Sequence, residues 1–180
     1  PNWAGNGDLA YQVGYQSVTV LRDTAEILPL PGSRILMIGP TDAWGMYSVL
    51  QTTLVNSGYS VETYTYSGPW SGPVAETGYL TSMPAYSVNF DITVVLTWQG
   101  HLNRLLFNDN FQSDLVNNLL ATDRPVVVVA LKSPVDILDF PTAPTYLMTF
   151  GTIKGQLQAL ADILVGNAQA AGHNPLPGLP

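Results

Sequence analysis

The stretch PVVVVAL, from Pro125 to Leu131, contains four consecutive valines and decides the fold class. A strand that is apolar on both faces belongs in the middle of a sheet that is covered on both sides, as parallel sheets are. Five other apolar runs are typical of strands, and they cover 18–21, 34–38, 61–66, 91–97 and 146–150. The sequence therefore predicts a sheet with the valine-rich strand at its centre.

Segments with helical periodicity lie between the predicted strands. The last segment repeats apolar residues at i, i+3, i+4 and i+7, which marks one helix face, with Thr152 as predicted N-cap and Gly166 as predicted C-cap. The apolar stripes are Leu157, Leu160, Ala161 and Leu164 in this helix, Tyr47, Leu50 and Leu54, Phe111, Leu115, Leu119 and Leu120, and the short pair Leu9 and Val13. The alternation predicts a single domain over 1–180. Its fold is a doubly wound α/β sandwich, a mostly parallel sheet of about five to six strands with helices on both faces.

The composition limits the classes of function. Charged residues make up 11% of the 180 residues, against about a quarter in ordinary proteins, so we expect a large neutral surface that a partner covers. The net charge of −7 and six scattered Lys and Arg residues exclude a nucleic-acid interface, and the lack of cysteine excludes thiolate chemistry. No apolar run reaches the roughly 18 residues of a membrane span. Because Pro1 stands first, we expect a processed or excised piece of a longer chain.

The turn after the second predicted strand is the place to look for nucleotide binding. It reads Gly39-Pro40-Thr41-Asp42-Ala43-Trp44-Gly45, so Thr41 takes the place of the second glycine of the dinucleotide motif, and Pro40 lacks a backbone donor. Glu62 lies about where a ribose-binding acid would stand. The simpler interpretation is a strand-to-helix turn with Thr41 or Asp42 as N-cap. An autonomous nucleotide- or small-ligand-binding module stays the alternative function.

The histidines and serines do not form a recognisable metal-binding or catalytic motif. His101 and His173 lack metal-ligand spacing, and a lone histidine in a polar loop is usually only solvated, so we expect no metal site and no cofactor. The segment 68–72 has the wrong spacing for a serine nucleophile elbow.

Asp136 and Asp139 stand three residues apart between Pro134 and Pro141. Glycoside hydrolysis uses two carboxyl groups roughly 5 to 10 Å apart, and this spacing brings carboxyls that close. The structural interpretation, which we prefer, is a short helical turn in which Asp136 favours the positive end.

Three tryptophans follow predicted strands closely. Trp44, Trp70 and Trp98 would therefore lie at the carboxyl edge of a parallel sheet, where α/β proteins bind ligands. Gln99 and His101 follow Trp98 and add hydrogen-bonding groups. The alternative is that Trp44 and Trp98 only close off the local core. We expect this edge to face a substrate or a partner, with at least two of the indoles partly exposed.

Two long stretches resemble the C-terminal domain of glycoside hydrolase family 3. They are SVTVLRDTAEILPLPGSRILMIGP, residues 17–40, and RPVVVVALKSPVDILDFPTAPTYLMTFG, residues 124–151. The second is similar to the β-N-acetylglucosaminidase branch of the family, whose Ser-Pro-x-Asp-Leu-x-x-Phe-Pro motif is matched here by Ser133, Pro134, Asp136, Ile137, Phe140 and Pro141. Ile137 replaces the usual Leu.

The resemblance implies a division of labour between two domains. In the family, a TIM-type barrel carries the nucleophilic Asp and, in the N-acetylglucosaminidase branch, also the acid/base His; neither motif occurs in this chain. In the β-glucosidase branch the acid/base Glu comes from the C-terminal domain, and only Glu76 stands in a plausible loop here. The resemblance therefore implies a non-catalytic domain that packs on a barrel of the same polypeptide, with a carbohydrate substrate near its tryptophan edge and the 133–141 connection as a structural turn.

Overall fold

The computed structural model of the protein describes residues 3–41, 46–68, 74–174 and 178, with the backbone alone at 3–6 and 46. Within these residues one sheet is formed by β1 Thr19–Asp23, β2 Arg34–Pro40, β3 Ser60–Tyr66, β4 Ile92–Thr97, β5 Val126–Ala130 and β6 Thr145–Met148. The strand order is β1-β6-β5-β4-β2-β3. Each predicted strand is present, and the predicted α/β sandwich is confirmed.

The sheet is parallel except at one edge, where β1 runs antiparallel to β6. The helices are α1 Trp3–Ser17, α2 Met46–Asn56, α3 Tyr79–Ser87, α4 Gly100–Phe107, α5 Phe111–Leu120 and α6 Lys154–Leu164, with a 3-10 helix at Pro134–Asp139 between β5 and β6. No helix in the described part of the chain combines the length and apolar character that crossing a membrane requires.

The four valines of β5 explain why this strand is central. Val127 and Val129 point into one apolar core and Val126 and Val128 into the other, because successive side chains of a strand face opposite sides. The first core also contains α2 and α6 residues such as Leu54. The second contains residues of α3, α5 and the 3-10 helix. Both faces of the sheet are therefore covered, as the apolar run predicted.

Helix α1 is longer than predicted and buries a different face. Leu9 and Val13, which predicted the helix, are exposed. The buried face instead crosses α6 at Gly14, where an added Cβ would stand 2.5 Å from the carbonyl carbon of Gly155. The two glycines let the helix backbones touch, while Tyr11 and Tyr15 on the same side of α1 pack against the first core.

Helix α6 begins one residue later than predicted. Ile153 is the N-cap in place of Thr152, and Val165 is the C-cap. Gly166 follows with a φ of 81°, the left-handed conformation that commonly ends a helix and that glycine adopts without steric cost.

Candidate site at the carboxyl edge of the sheet

Strands β4 and β5 end side by side at the carboxyl edge. Thr97 at the end of β4 pairs with Ala130 at the end of β5, so α4 and the 3-10 helix leave the sheet as neighbours. Gln99 takes a left-handed φ of 51° to turn the chain from β4 into α4. Non-glycine residues in this region are strained, and such strain is common near functional sites.

Asp136 binds the start of α4 rather than its own turn. Its carboxylate is fully buried, with Oδ2 accepting a hydrogen bond of 2.8 Å from the Thr97 hydroxyl and Oδ1 one of 3.2 Å from the His101 backbone N–H. The first N–H groups of a helix have no partner within the helix, and a carboxylate at this end satisfies them. Burial raises the pKa of Asp136, although these hydrogen bonds counter part of the shift. The sequence pattern predicted the turn but not the helix that this residue caps.

Asp139 binds two side chains of α4. Its Oδ1 lies 2.8 Å from Arg104 Nε and 3.0 Å from His101 Nδ1. Its other oxygen, Oδ2, is buried and has no hydrogen-bond partner among the described residues. His101 is therefore a mostly buried helix residue and not the solvated loop histidine that its sequence surroundings suggested. We call Asp136, Asp139, His101 and Arg104 together the α4 clasp.

The α4 clasp favours the structural interpretation of the carboxylate pair. A retaining glycosidase needs both carboxyl groups to reach a sugar. Here both side chains are buried, and their contacts are with α4 and with Thr97 at the end of β4. In this structure the pair joins two helical segments, and it does not line an open cleft.

The other residues of the 133–141 connection fill space. Pro134 occupies the first turn of the 3-10 helix, and the backbone carbonyl of Ser133 accepts a hydrogen bond from the Asp136 N–H. Ile137 and Phe140 are fully buried in the second core. The carbonyl of Pro141 accepts a hydrogen bond from the guanidinium of Arg22 on β1. These contacts give the connection its shape and tie it to the antiparallel edge strand.

Trp98 is buried at the end of β4. The side-chain amide of Gln112 holds its backbone from both sides, accepting from Trp98 N–H over 2.8 Å and donating to Trp98 O over 3.1 Å. The ammonium of Lys132 lies 4.8 Å from the centre of the indole ring. Trp44 and Trp70 lie outside the described residues. Exposure of at least two indoles therefore stays a prediction that now depends on those two, since Trp98 belongs to the first core.

Gly39 serves packing within the domain. The hydroxyl of Tyr47 donates to the carbonyl of Pro40 over 2.8 Å, and a Cβ on Gly39 would collide with that hydroxyl. In dinucleotide-binding proteins the glycines of this turn let a phosphate approach the backbone. Here a buried tyrosine takes the space beside Gly39, so the nucleotide-binding alternative is not favoured.

Glu76 also has a local role. Its carboxylate accepts hydrogen bonds from the backbone N–H of Ser67 over 2.9 Å and from the Ser67 hydroxyl over 2.7 Å. Burial alone would raise the pKa of Glu76, but these hydrogen bonds outweigh it and lower the pKa. Across the described residues, the His, Asp and Glu side chains form no group of three or more that could hold a metal ion.

The apolar stripes described above did not predict helix α4 or its exposed face. Leu105, Leu106 and Phe107 are 61%, 70% and 55% exposed, and Leu102 lies one turn earlier on the same helix. We call these four residues the α4 face. The sequence does contain a signal for this helix, because HLNRLLF is rich in good helix formers and lies between two residues typical of turns, Gly100 and Asn108.

Comparison with known proteins agrees with this architecture. The family model of the glycosyl hydrolase family 3 C-terminal domain matches residues 18–177. A β-N-acetylglucosaminidase/β-glucosidase of Cellulomonas fimi is 24% identical over a match that covers 93% of this chain and 31% of the relative.

Two solved structures show the same fold. A glycoside hydrolase family 3 β-N-acetylglucosaminidase from Paenibacillus sp. matches with a TM-score of 0.76 at 20% identity, over 92% of this chain and 31% of that one. A β-glucosidase from Erythrobacter marinus matches with a TM-score of 0.69 at 18% identity, over 92% of this chain and 29% of that one. The chain thus spans less than a third of the length of these relatives. Because the family model covers nearly all of the described sheet and helices, the chain belongs to the glycosyl hydrolase family 3 C-terminal domain family.

Proposed function

We propose that this chain is the non-catalytic C-terminal domain of a β-N-acetylglucosaminidase-like glycosidase and packs on a catalytic barrel domain of the same polypeptide. The relatives support the two-domain arrangement, because more than two thirds of each one lies outside the matched part. β-N-Acetylglucosaminides are the first substrate class to consider and β-glucosides the second, as the names of these relatives indicate.

The observation that carries the proposal is that three candidate catalytic carboxylates are bound by other groups of this domain. Asp136 and Asp139 are buried in the α4 clasp, and Glu76 is bound by Ser67. Double displacement needs one carboxylate free to attack the sugar and an acid that protonates the leaving group. The two aspartates are buried and Glu76 is held by Ser67, which supports chemistry that comes from another domain.

The tryptophan edge is the part of the domain that we propose faces the sugar. Trp44, Trp70, Trp98, Gln99 and His101 all follow the carboxyl ends of strands, where ligands of α/β proteins bind. Trp98 and His101 are largely buried, so Trp44, Trp70 and Gln99 would make the contacts. Indole rings suit this role because they offer a flat apolar face and a polar N–H.

An activity assay tests the proposal. The purified 180-residue chain should not hydrolyse aryl β-N-acetylglucosaminides or aryl β-glucosides, whereas the longer polypeptide that contains it should. The proposal fails if the short chain turns over either substrate and loses that activity in Asp136→Asn or Glu76→Gln. Asp123→Asn is the matched control, because Asp123 is an exposed carboxylate in the loop before β5.

A further inference from the structure

Helix α4 exposes more apolar surface than its place in the fold explains. Its main neighbours are the 3-10 helix and α5, and its buried residues are Gly100 and Asn103. Its leucines and phenylalanine lie on the outside, although core-facing helices turn such residues inward. Leu138 in the adjacent 3-10 helix is exposed as well. Contiguous exposed apolar side chains of this kind mark interaction surfaces.

The α4 clasp holds this surface in a fixed position. Asp136 binds the backbone N–H of His101 in the first turn of the helix, and Asp139 binds the side chains of His101 and, one turn further on, Arg104. Asn103 adds a hydrogen bond from its side-chain amide to the carbonyl of Trp98. The exposure of the α4 face therefore belongs to a well-anchored helix, and a pre-positioned surface binds a partner at a lower entropic cost.

Charge separates the α4 face from the rest of this acidic chain. Of the nearby carboxylates, Asp136 and Asp139 are buried in the clasp, and Asp109 accepts hydrogen bonds from the backbone N–H groups of Val74 and Phe111. The side chain of Arg104, by contrast, is 37% exposed. The surface is thus apolar with the cation of Arg104 at its border, on a chain of net charge −7. Its best partner is an apolar patch bordered by carboxylates.

We propose that the α4 face is the surface on which the catalytic domain of the same polypeptide docks. This inference rests on the proposed function, and it names the docking residues as Leu102, Leu105, Leu106 and Phe107. A second copy of this chain fits less well, because a two-fold contact would set the positively bordered surface against another copy of itself. The remaining length of the relatives supplies a partner in the same polypeptide.

The test compares the same substitutions in two settings. The double variant Leu105→Glu/Leu106→Glu is made in the 180-residue chain and in the longest polypeptide that contains it. Val55→Glu is the matched control, because Val55 is 50% exposed at the end of α2, far from α4 in the fold. Limited proteolysis measures how fast this domain separates from the remainder, and hydrogen exchange measures the protection of the α4 amides.

In the short chain, the double variant should melt at the wild-type temperature, because its side chains are already exposed. In the longer polypeptide it should release the domain about tenfold faster or more, as loss of central interface residues does, and Val55→Glu should not. The α4 amides should also be better protected in the longer polypeptide than in the short chain.

Three outcomes would overturn the inference. The first is a double variant of the longer polypeptide that behaves like Val55→Glu. The second is a short chain that dimerises in sedimentation and becomes monomeric in the double variant, since a second copy would then cover the face. The third is binding of the short chain to anionic vesicles that the double variant abolishes. If the reading frame encodes no further domain, the proposed function fails together with this inference. If it encodes one and the double variant behaves like Val55→Glu, this inference alone fails.

Discussion

The hydroxyl of Thr97 donates to the carboxylate of Asp136 over 2.8 Å, although the two residues lie 39 positions apart in the sequence. Both side chains are fully buried. The bond joins the end of β4 to the 3-10 helix that follows β5, and the same carboxylate caps α4. A residue that resembled one half of a catalytic pair is therefore the point where three elements meet.

Removing this carboxylate should destabilise the domain. Asp136→Ala leaves the Thr97 hydroxyl and the His101 N–H without acceptors, and we expect a loss of about 2 to 4 kcal/mol in the free energy of unfolding. Asp136→Asn keeps one acceptor oxygen and should cost about half as much or less. Urea denaturation measures both, with Asp123→Ala as the exposed control, which should stay within about 0.5 kcal/mol of wild type. Equal effects for Asp136→Ala and Asp123→Ala would contradict the capping role.

Asp136 should also leave a mark on the pH dependence of stability. Burial raises its pKa above the ordinary value of about 3.9. At a pH between the ordinary pKa of the unfolded chain and the raised pKa of the folded protein, Asp136 is protonated only in the folded protein. This group therefore makes the free energy of unfolding fall as pH rises. Asp136→Asn removes the titration. The stability of wild type minus that of the variant should therefore decrease from about pH 4 upward, as urea denaturation at stepped pH would show; an increase over this range would contradict the shift.

The crossing of α1 and α6 should tolerate no side chain at its glycines. Gly14→Ala would place a methyl group against the backbone of Gly155, and we expect a loss of about 1 to 3 kcal/mol. Gly7→Ala in the same helix is the control, since nothing lies within 4 Å of its Cβ. Because alanine favours helices over glycine, the control should gain about 0.5 to 1 kcal/mol. Thermal melts of both variants would reveal opposite signs, and two gains would show that the helices can separate without cost.

Trp98 should contribute a shielded component to the fluorescence. It packs in the first core and lies under the ammonium of Lys132. Iodide should therefore quench the emission of Trp98→Phe more completely than that of wild type, because the variant lacks the protected indole. If Trp44 and Trp70 face a partner, as the edge assignment predicts, single Phe variants at those positions should remove quenchable emission instead. Equal quenching of all variants would contradict both assignments.

Local patterns were enough to predict the sheet. Apolar runs bounded by Gly, Pro and Asp mark strands whatever their neighbours are, and each predicted strand lies within one or two residues of its observed position. The valine run also predicted the central position of β5 in the sheet, because only a strand covered on both faces buries every side chain. The same patterns did not predict helix α4, because Leu105 and Leu106 point away from the core and the helix therefore has no apolar stripe that faces the core.

The sequence by itself determined the α/β class, the order of its strands and the family, because apolar periodicity and short motifs are properties of neighbouring residues. Only the tertiary structure decided that β1 runs antiparallel, that Leu9 and Val13 are exposed, and that Asp136 caps α4. Each of these depends on contacts between segments distant in sequence. A carboxylate three residues from another looks the same whether it faces a sugar or a helix, and its role is set by the groups that the fold brings to it.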